Sequence, residues 1–160
     1  MGLTAAQIAE NLAGAIAGEA KALVLDIANE LRRAPPLGTP VQTGHARRNW
    51  IPSVGEPHEG EIDSDGEFEA GIAAVLAYQF GEGPLFVANS APYISRLNDG
   101  TSKQAPAGFV EVAVDRALAR AQAKQGQHID ISAIRSAFAA DRGGAAAGNM
   151  AEAYSPFGGD

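Results

Sequence analysis

A long apolar stripe close to the N-terminus constrains the fold of this chain more than any other feature. Its members recur at steps of three or four residues: Ile8, Leu12, Ile16, Ala20, Leu23, Ile27 and Leu31. That period is typical of one face of an α-helix and predicts a helix over residues 5–33. Thr4 and Gln7 match a capping box at its start, and Pro35-Pro36 cannot continue it. A helix of about 43 Å is long for a small domain, so we expect it to project or to pack against neighbours.

The composition limits the size of the core and the class of partner. A chain of 160 residues is long enough for one core and for one domain. Hydrophobic residues make up 46% but aromatic residues only 6%, so the core should be thin and rich in alanine. A net charge of −7 argues against general affinity for duplex nucleic acid, because that affinity comes from Lys and Arg neutralising phosphates.

Several other classes are excluded or disfavoured by what the sequence lacks. It has no cysteine, which excludes disulfides, thiolate zinc sites and thiol catalysis. We also expect no signal peptide and no membrane span, since no basic stretch precedes an apolar run and no apolar run reaches the length of a bilayer.

Along the rest of the chain, Gly- and Pro-rich turns separate the predicted helices and strands. The patterns predict strands at 48–54 and 85–89, helices at 70–80, 92–97 and 106–125, and a short helix that Asp130 caps. Residues 55–69 are rich in carboxylates and predict an exposed loop or hairpin. The fold class is therefore α+β, with one domain over residues 1–142. Residues 143–160 form a Gly/Ala-rich tail that we expect to be flexible or docked on a partner.

The acidic loop has a partial calcium-site pattern. Glu61, Asp63, Asp65 and Gly66 occupy positions 1, 3, 5 and 6 of an EF-hand-like loop. Ile72 stands where the bidentate carboxylate belongs, so a solvated or partner-facing charge run is the favoured interpretation and a metal site the alternative.

Motifs for catalysis are lacking. His45, His58 and His128 do not have the spacing that places two metal ligands on one helix face. The sequence contains neither a Gly-x-Ser-x-Gly elbow nor a phosphate-binding Gly-Lys-Ser/Thr loop. We therefore predict no catalytic residue, no metal and no cofactor.

Basic residues form a row on the second long helix. Arg116, Arg120 and Lys124 are four residues apart and share one face, while Glu111 and Asp115 lie nearer the helix start. This order is favourable for the helix dipole by itself. The alternative interpretation is a basic ridge that faces an acidic neighbour or a nucleic-acid channel.

A second basic cluster precedes the first strand. Arg47 and Arg48 lie beside Asn49 and the single Trp, Trp50. Arg and Trp are enriched where the binding energy of interfaces concentrates, which favours an interface. Trp50 could instead fill the domain's own core while Arg47 pairs with a local carboxylate, and the two interpretations are compatible.

Three blocks of sequence resemble the tail-completion, or head-tail connector, proteins of tailed bacteriophages. The first is Thr39-Pro-Val-Gln-Thr-Gly-His-Ala-Arg-Arg-Asn-Trp50, followed by a strand. The second is Asn89-Ser-Ala-Pro-Tyr-Ile-Ser-Arg-Leu-Asn-Asp-Gly100, and the third is Ser102-Lys-Gln-Ala-Pro-Ala-Gly-Phe109 opening a long helix. The resemblance covers roughly residues 1–125. The chain departs from it at Gln42, where members have an acidic residue, and at His45, where they have a basic one, usually Arg.

The resemblance implies an α+β protomer with a long N-terminal helix and a small antiparallel sheet. It further implies a structural virion protein that forms a ring, of six copies, at the head-tail junction after assembly in the host cytoplasm. Its partners would be further copies of itself, the adjacent connector or stopper ring and the tail tube. Genomic DNA would make transient contact with it in the channel.

These expectations assign interface residues and leave two alternatives open. The residues expected to support the interface are Thr43, Gly44, Arg47, Arg48, Asn49, Trp50, Pro92, Tyr93, Lys103, Gln104 and Pro106. One alternative is a minor tail or DNA-gating component, in which Arg116, Arg120 and Lys124 contact DNA or the end of the tape-measure protein. The other is a metal-dependent enzyme built from the histidines and the acidic loop.

Overall fold

The computed structural model describes residues 2–128, with side chains through residue 124. The predicted helix after Asp130, the domain boundary at 142 and the tail at 143–160 lie outside the described residues. The elements in chain order are α1 (Ala5–Leu31), α2 (His45–Arg48), β1 (Trp50–Val54), α3 (Gly66–Ala77), β2 (Leu85–Asn89), α4 (Ile94–Arg96), a π-helical turn (Leu97–Thr101) and α5 (Phe109–His128). Helices and a small antiparallel sheet confirm the α+β class.

The predicted capping box starts α1. The Thr4 hydroxyl accepts a hydrogen bond from the Gln7 amide, and the Gln7 side chain accepts one from the Thr4 amide. The helix ends at Leu31, two residues before the predicted end, because Thr39 caps it. The amide and the hydroxyl of Thr39 both donate to the Leu31 carbonyl, at 3.1 and 2.7 Å.

The sheet consists of β1 and β2, which pair antiparallel with Pro52 opposite Val87. The Gly55 amide donates to the Pro84 carbonyl at 2.8 Å, just beyond the ladder. Bonded and non-bonded pairs alternate in antiparallel ladders, so Pro52 and Val87 form a non-bonded pair. The missing amide hydrogen of Pro52 therefore costs the ladder nothing.

Helices α1 and α5 pack against each other and against the sheet, and together they enclose the core. Leu31, Trp50 and Ala113 form its buried cluster, with Val87 and Val110 packed around it. Small residues dominate the buried positions of α5, where Ala113 and Ala117 are fully buried. The expected thin, alanine-rich core is confirmed for the described residues.

The predicted bounds of β1 and α3 were wrong. Arg48 does not begin a strand: Gly44, at φ 83°, starts α2, and the Arg48 amide donates to the Gly44 carbonyl. Helix α3 spans 66–77 rather than 70–80, so its first turn takes up the end of the acidic loop, where carboxylates suit the helix dipole.

The second long helix is also displaced from its predicted range of 106–125. Asn98 accepts a hydrogen bond from the Val110 amide, and the Gly108 amide donates to the Asn98 carbonyl, so α5 begins only at Phe109. It continues through Gly126, because a single glycine costs a helix only about 1 kcal/mol. The short helix predicted at 92–97 is found as α4 followed by the π-helical turn.

Among residues 2–128, no helix is both long and apolar enough to cross a membrane.

Candidate interaction surface

The blocks at 39–50 and 89–109 meet in the folded chain. The Val41 amide donates to Oε1 of Gln104 at 2.7 Å. The side-chain amide of Asn89 donates to the Ala46 carbonyl at 2.8 Å. Two stretches that are distant in sequence therefore form one surface.

A groove of about 470 Å³ lies between these two stretches. Its walls are residues 40–46 on one side and, on the other, Tyr93, Leu97 and the segment 101–104. The His45 and Tyr93 rings face each other across it, with centroids 6.4 Å apart. Thr43, Gly44, His45, Tyr93 and Gln104 contribute polar groups, so the groove suits a polar or mixed partner rather than an apolar one.

The acidic loop reaches the rim of this groove through His45. The Nε2 of His45 lies 2.6 Å from a carboxylate oxygen of Glu61, and the Nδ1 of His45 lies 3.7 Å from a carboxylate oxygen of Asp63. The sequence grouped the histidines with the acidic loop only in the metal-enzyme alternative and did not predict this contact. Nothing in the spacing indicates it, because the contact depends on how the loop folds back.

Asn49 folds the loop back by bonding both polar groups of Ile62. Its Oδ1 accepts from the Ile62 amide at 2.8 Å, and its Nδ2 donates to the Ile62 carbonyl at 3.1 Å. Asn49 is 1% exposed and Ile62 is 5% exposed. Asn49 therefore acts inside the protomer, where it ties the acidic loop to the strand start.

Trp50 is likewise buried in the protomer, at 6% exposure. Its indole Nε1 donates to the Thr39 hydroxyl at 2.7 Å. In this position the ring holds the beginning of β1 against the end of α1. Trp50 fills the domain's own core, as one of the two interpretations predicted.

Arg47 and Arg48 are half-buried, and neither forms an ion pair among the described residues. The local carboxylate predicted as the partner of Arg47 is therefore not found there. The Arg48 Nε is buried without a hydrogen-bond partner in that part of the chain. Their carbonyls instead accept hydrogen bonds from Arg32, whose guanidinium also contacts Asp65 at 2.6 Å.

Arg32 is a positioning residue that the sequence analysis missed. Its guanidinium carbon lies 3.8 Å from the centre of the Phe68 ring, in cation–π geometry. Arg32 thereby connects α1, α2 and the start of α3. In the sequence, Arg32 is only a basic residue directly after the helical stripe, and no spacing predicts these contacts.

The remaining predicted residues lie at the surface near the groove. Pro92, Lys103, Gln104 and Pro106 are exposed. The side chain of Gln104 is held by Val41, whereas Lys103 has no ion pair among the described residues. These positions are accessible to a partner.

The basic row on α5 faces an acidic row on α1 of the same chain. Arg116 lies 3.2 Å from Glu30, and Arg120 binds both oxygens of Asp26 at 2.9 and 3.0 Å. The hydrogen bond to Asp26 raises the pKa of Arg120 above its already high value. Lys124 is exposed and lies outside this network. The basic ridge thus faces an acidic neighbour, and that neighbour is intramolecular.

Within residues 2–128, no group of three His, Asp or Glu side chains is arranged to hold a metal ion. His45 contacts Glu61 through Nε2 and Asp63 through Nδ1, so the two carboxylates meet different nitrogens of the ring.

Comparisons with protein-family models, curated proteins and solved structures find no match to this chain.

A second accessible surface is the outer edge of β2. Gly55 and Pro84 form a hydrogen-bonded pair, and bonded and non-bonded pairs alternate along the ladder. The amide and carbonyl groups of Leu85, Val87 and Asn89 therefore point away from β1. None of these backbone groups bonds to another described backbone segment. The side of β1 that faces away from β2 is occupied by α3, because Gly71 packs against the Pro52 carbonyl. Among residues 2–128, the sheet therefore has one unpaired edge.

Proposed function

We propose that this chain is a non-enzymatic structural subunit of the neck of a tailed bacteriophage. It forms a ring, of six copies, that completes the tail end and joins it to the head connector. The observation that carries the proposal is the convergence of the blocks at 39–50 and 89–109 on one groove. The blocks that carry the resemblance are joined by direct hydrogen bonds, as parts of a single functional surface would be.

Two distinct surfaces on one subunit support a ring. Closed cyclic rings need heterologous contacts, in which one patch of a subunit meets a different patch of the next. The groove and the open edge of β2 are two such patches, and they lie on different parts of the described chain. An extended segment from the neighbour can add to a free strand edge through backbone hydrogen bonds.

The charge distribution is compatible with a passage for DNA. The carboxylates of residues 56–69 are all exposed, and negative charge on a channel wall limits sticking of DNA. In this proposal the acidic loop lines the channel or docks on an adjacent ring, and the subunit is located at the head-tail junction of the virion.

The geometry favours this function over the DNA-gating alternative. That alternative requires Arg116 and Arg120 to contact DNA or the tape-measure end, but both guanidiniums are engaged with Asp26 and Glu30. Lys124 alone among the three is exposed.

The test is the assembly state of the purified full chain, measured by analytical ultracentrifugation and by electron microscopy. We expect rings of uniform size, and we expect the protein to restore head-tail joining in extracts that lack it. A chain that stays monomeric and also fails to join heads to tails contradicts the proposal.

A variant in the groove makes the test specific. Gln42 is exposed, lines the groove and forms no hydrogen bond among the described residues, so Gln42→Arg should obstruct the groove without unfolding the protomer. The matched control is Asn29→Arg at an exposed position on α1. We expect loss of rings for Gln42→Arg only, and equal assembly of both variants contradicts the assignment of the groove.

A further inference from the structure

The N-terminal half of α1 carries an apolar face that no described residue covers. Leu12 is 53% exposed and Ile16 is 43% exposed, although they continue the stripe whose later member Leu31 is 2% exposed. Ile8 lies one turn before Leu12 on the same face and is half-buried. The stripe is thus buried at one end of the helix and open at the other.

The register between α1 and α5 indicates what lies beyond the buried end. Arg116 contacts Glu30, and Arg120, four residues later, contacts Asp26, four residues earlier. The helices are therefore antiparallel, and each step forward on α5 corresponds to one step back on α1. At equal rise per residue, the end of α5 at His128 lies beside Gly18.

The same register can be continued along the sequence. A chain that keeps to the line of α5 places residue 130 beside Ile16, residue 134 beside Leu12 and residue 138 beside Ile8. The sequence has Ile134 and Phe138 at the second and third of these points, and Ile131 lies one residue beyond the first, which is Asp130. The two apolar rows thus have similar spacing in opposite chain directions, and they coincide at two of the three points.

We propose that residues 129–142 of the same chain cover the N-terminal half of α1, with Ile134 against Leu12 and Phe138 against Ile8. This segment completes the α1–α5 hairpin, so the apolar stripe of the long first helix is covered from Ile8 to Leu31. The charged pairs Arg116–Glu30 and Arg120–Asp26 set the alignment, and the apolar rows extend it. The inference is independent of the proposed neck function.

Engineered disulfides test this pairing cleanly, because the chain has no native cysteine. In the full chain, Leu12→Cys with Ile134→Cys should close an intrachain disulfide on mild oxidation, since facing residues come within bonding range. The expected result is loss of free thiols in most molecules, with monomer mass on a non-reducing gel. The control is Glu10→Cys with Ile134→Cys, because Glu10 points to the opposite face of α1.

The outcomes separate the possible occupants of this face. An intrachain bond for the Leu12 pair, well in excess of the Glu10 pair, supports the proposal. Bonds between chains would show that another copy covers the face, and equal or absent oxidation would show that the segment does not pack there. Interchain bonds, equal oxidation of the two pairs and absent oxidation each overturn the proposal.

Hydrogen exchange gives a second measurement without cysteines. Ile134→Asp with Phe138→Asp should remove protection from the amides of residues 8–16, while those of residues 24–31 keep theirs. Ser132→Asp with Ser136→Asp is the control, because it adds the same two charges on the opposite face of the segment. Unchanged exchange over residues 8–16 in the double variant contradicts the packing.

Discussion

The indole nitrogen of Trp50 lies 2.7 Å from the hydroxyl oxygen of Thr39 and donates a hydrogen bond to it. The hydroxyl in turn donates a hydrogen bond to the carbonyl of Leu31, the last residue of α1. A buried chain of two hydrogen bonds therefore joins the end of the first helix to the start of the first strand. Thr39 has no exposed surface, so water cannot replace either bond.

Thr39→Val should destabilise the fold by about 1–3 kcal/mol, because it leaves the Trp50 N–H and a Leu31 carbonyl lone pair unsatisfied in the core. The measurement is urea unfolding. We expect a lower midpoint concentration and an unchanged dependence of the unfolding free energy on urea. Thr39→Ser retains the hydroxyl, so it should lower the free energy of unfolding much less. Equal losses for both variants would mean that the methyl group, rather than the hydrogen bonds, is what matters.

Asn49→Ala should release the acidic loop from the strand start. The substitution removes both hydrogen bonds to Ile62 and should cost about 1–3 kcal/mol. A Glu-specific protease should then cut faster between residues 56 and 61. Asn29→Ala, at an exposed site on α1, should change neither stability nor cleavage. Cleavage of the Asn49 variant at the native rate would show that other contacts hold the loop.

Gly71→Ala should lower the melting temperature, because a Cβ there collides with the backbone carbonyl of Pro52. Overpacking of this kind costs about 1–3 kcal/mol. Gly14→Ala is the matched comparison on α1, where a Cβ meets nothing within 4 Å. It should stabilise the protein by roughly 0.5–1 kcal/mol through helix propensity. Shifts of the same sign would contradict the close packing of α3 on β1.

Asn98→Asp should raise the pKa of Glu111. The Asn98 amide donates to both carboxylate oxygens of Glu111, at 2.9 and 3.1 Å, and this holds the pKa below its ordinary value of 4.5. Aspartate keeps the acceptor for the Val110 amide but replaces the donor by a like charge.

The sign of the pH effect follows from the depressed pKa. A carboxylate with a lowered folded-state pKa stabilises the fold above its ordinary pKa and loses that effect as the pH falls below it. The variant should lack this acid-dependent loss at Glu111. Carboxyl titration by NMR measures the pKa directly, and Asn29→Asp is the control. A Glu111 pKa that stays low in Asn98→Asp would assign the shift to the backbone instead.

Local patterns were sufficient for much of the secondary structure. The bounds of β2 and the start of α1 agree with the sequence prediction, because capping residues and turn residues act within a few positions of themselves. Where a partner from elsewhere intervenes, the prediction fails. Thr39 shortens α1, and Asn98 delays α5.

The candidate site shows the same division. The blocks at 39–50 and 89–109 were recognisable in the sequence, but their joining through Gln104 and Asn89 was not. Asn49 and Trp50, expected at an interface, have their side chains inside the protomer. Residue type alone does not distinguish a buried anchor from an exposed one, since Trp and Asn serve both purposes.

By itself, the sequence determined the α+β class, the long capped first helix and the unusual pair of polar blocks. These features depend on periodicity and on local hydrogen bonding, which act between near neighbours in the chain. Only the tertiary structure decided that Arg116 and Arg120 pair with Glu30 and Asp26, and that Asn49 binds Ile62. Such contacts depend on which helix faces and loops meet in space, and no spacing along the chain encodes that meeting.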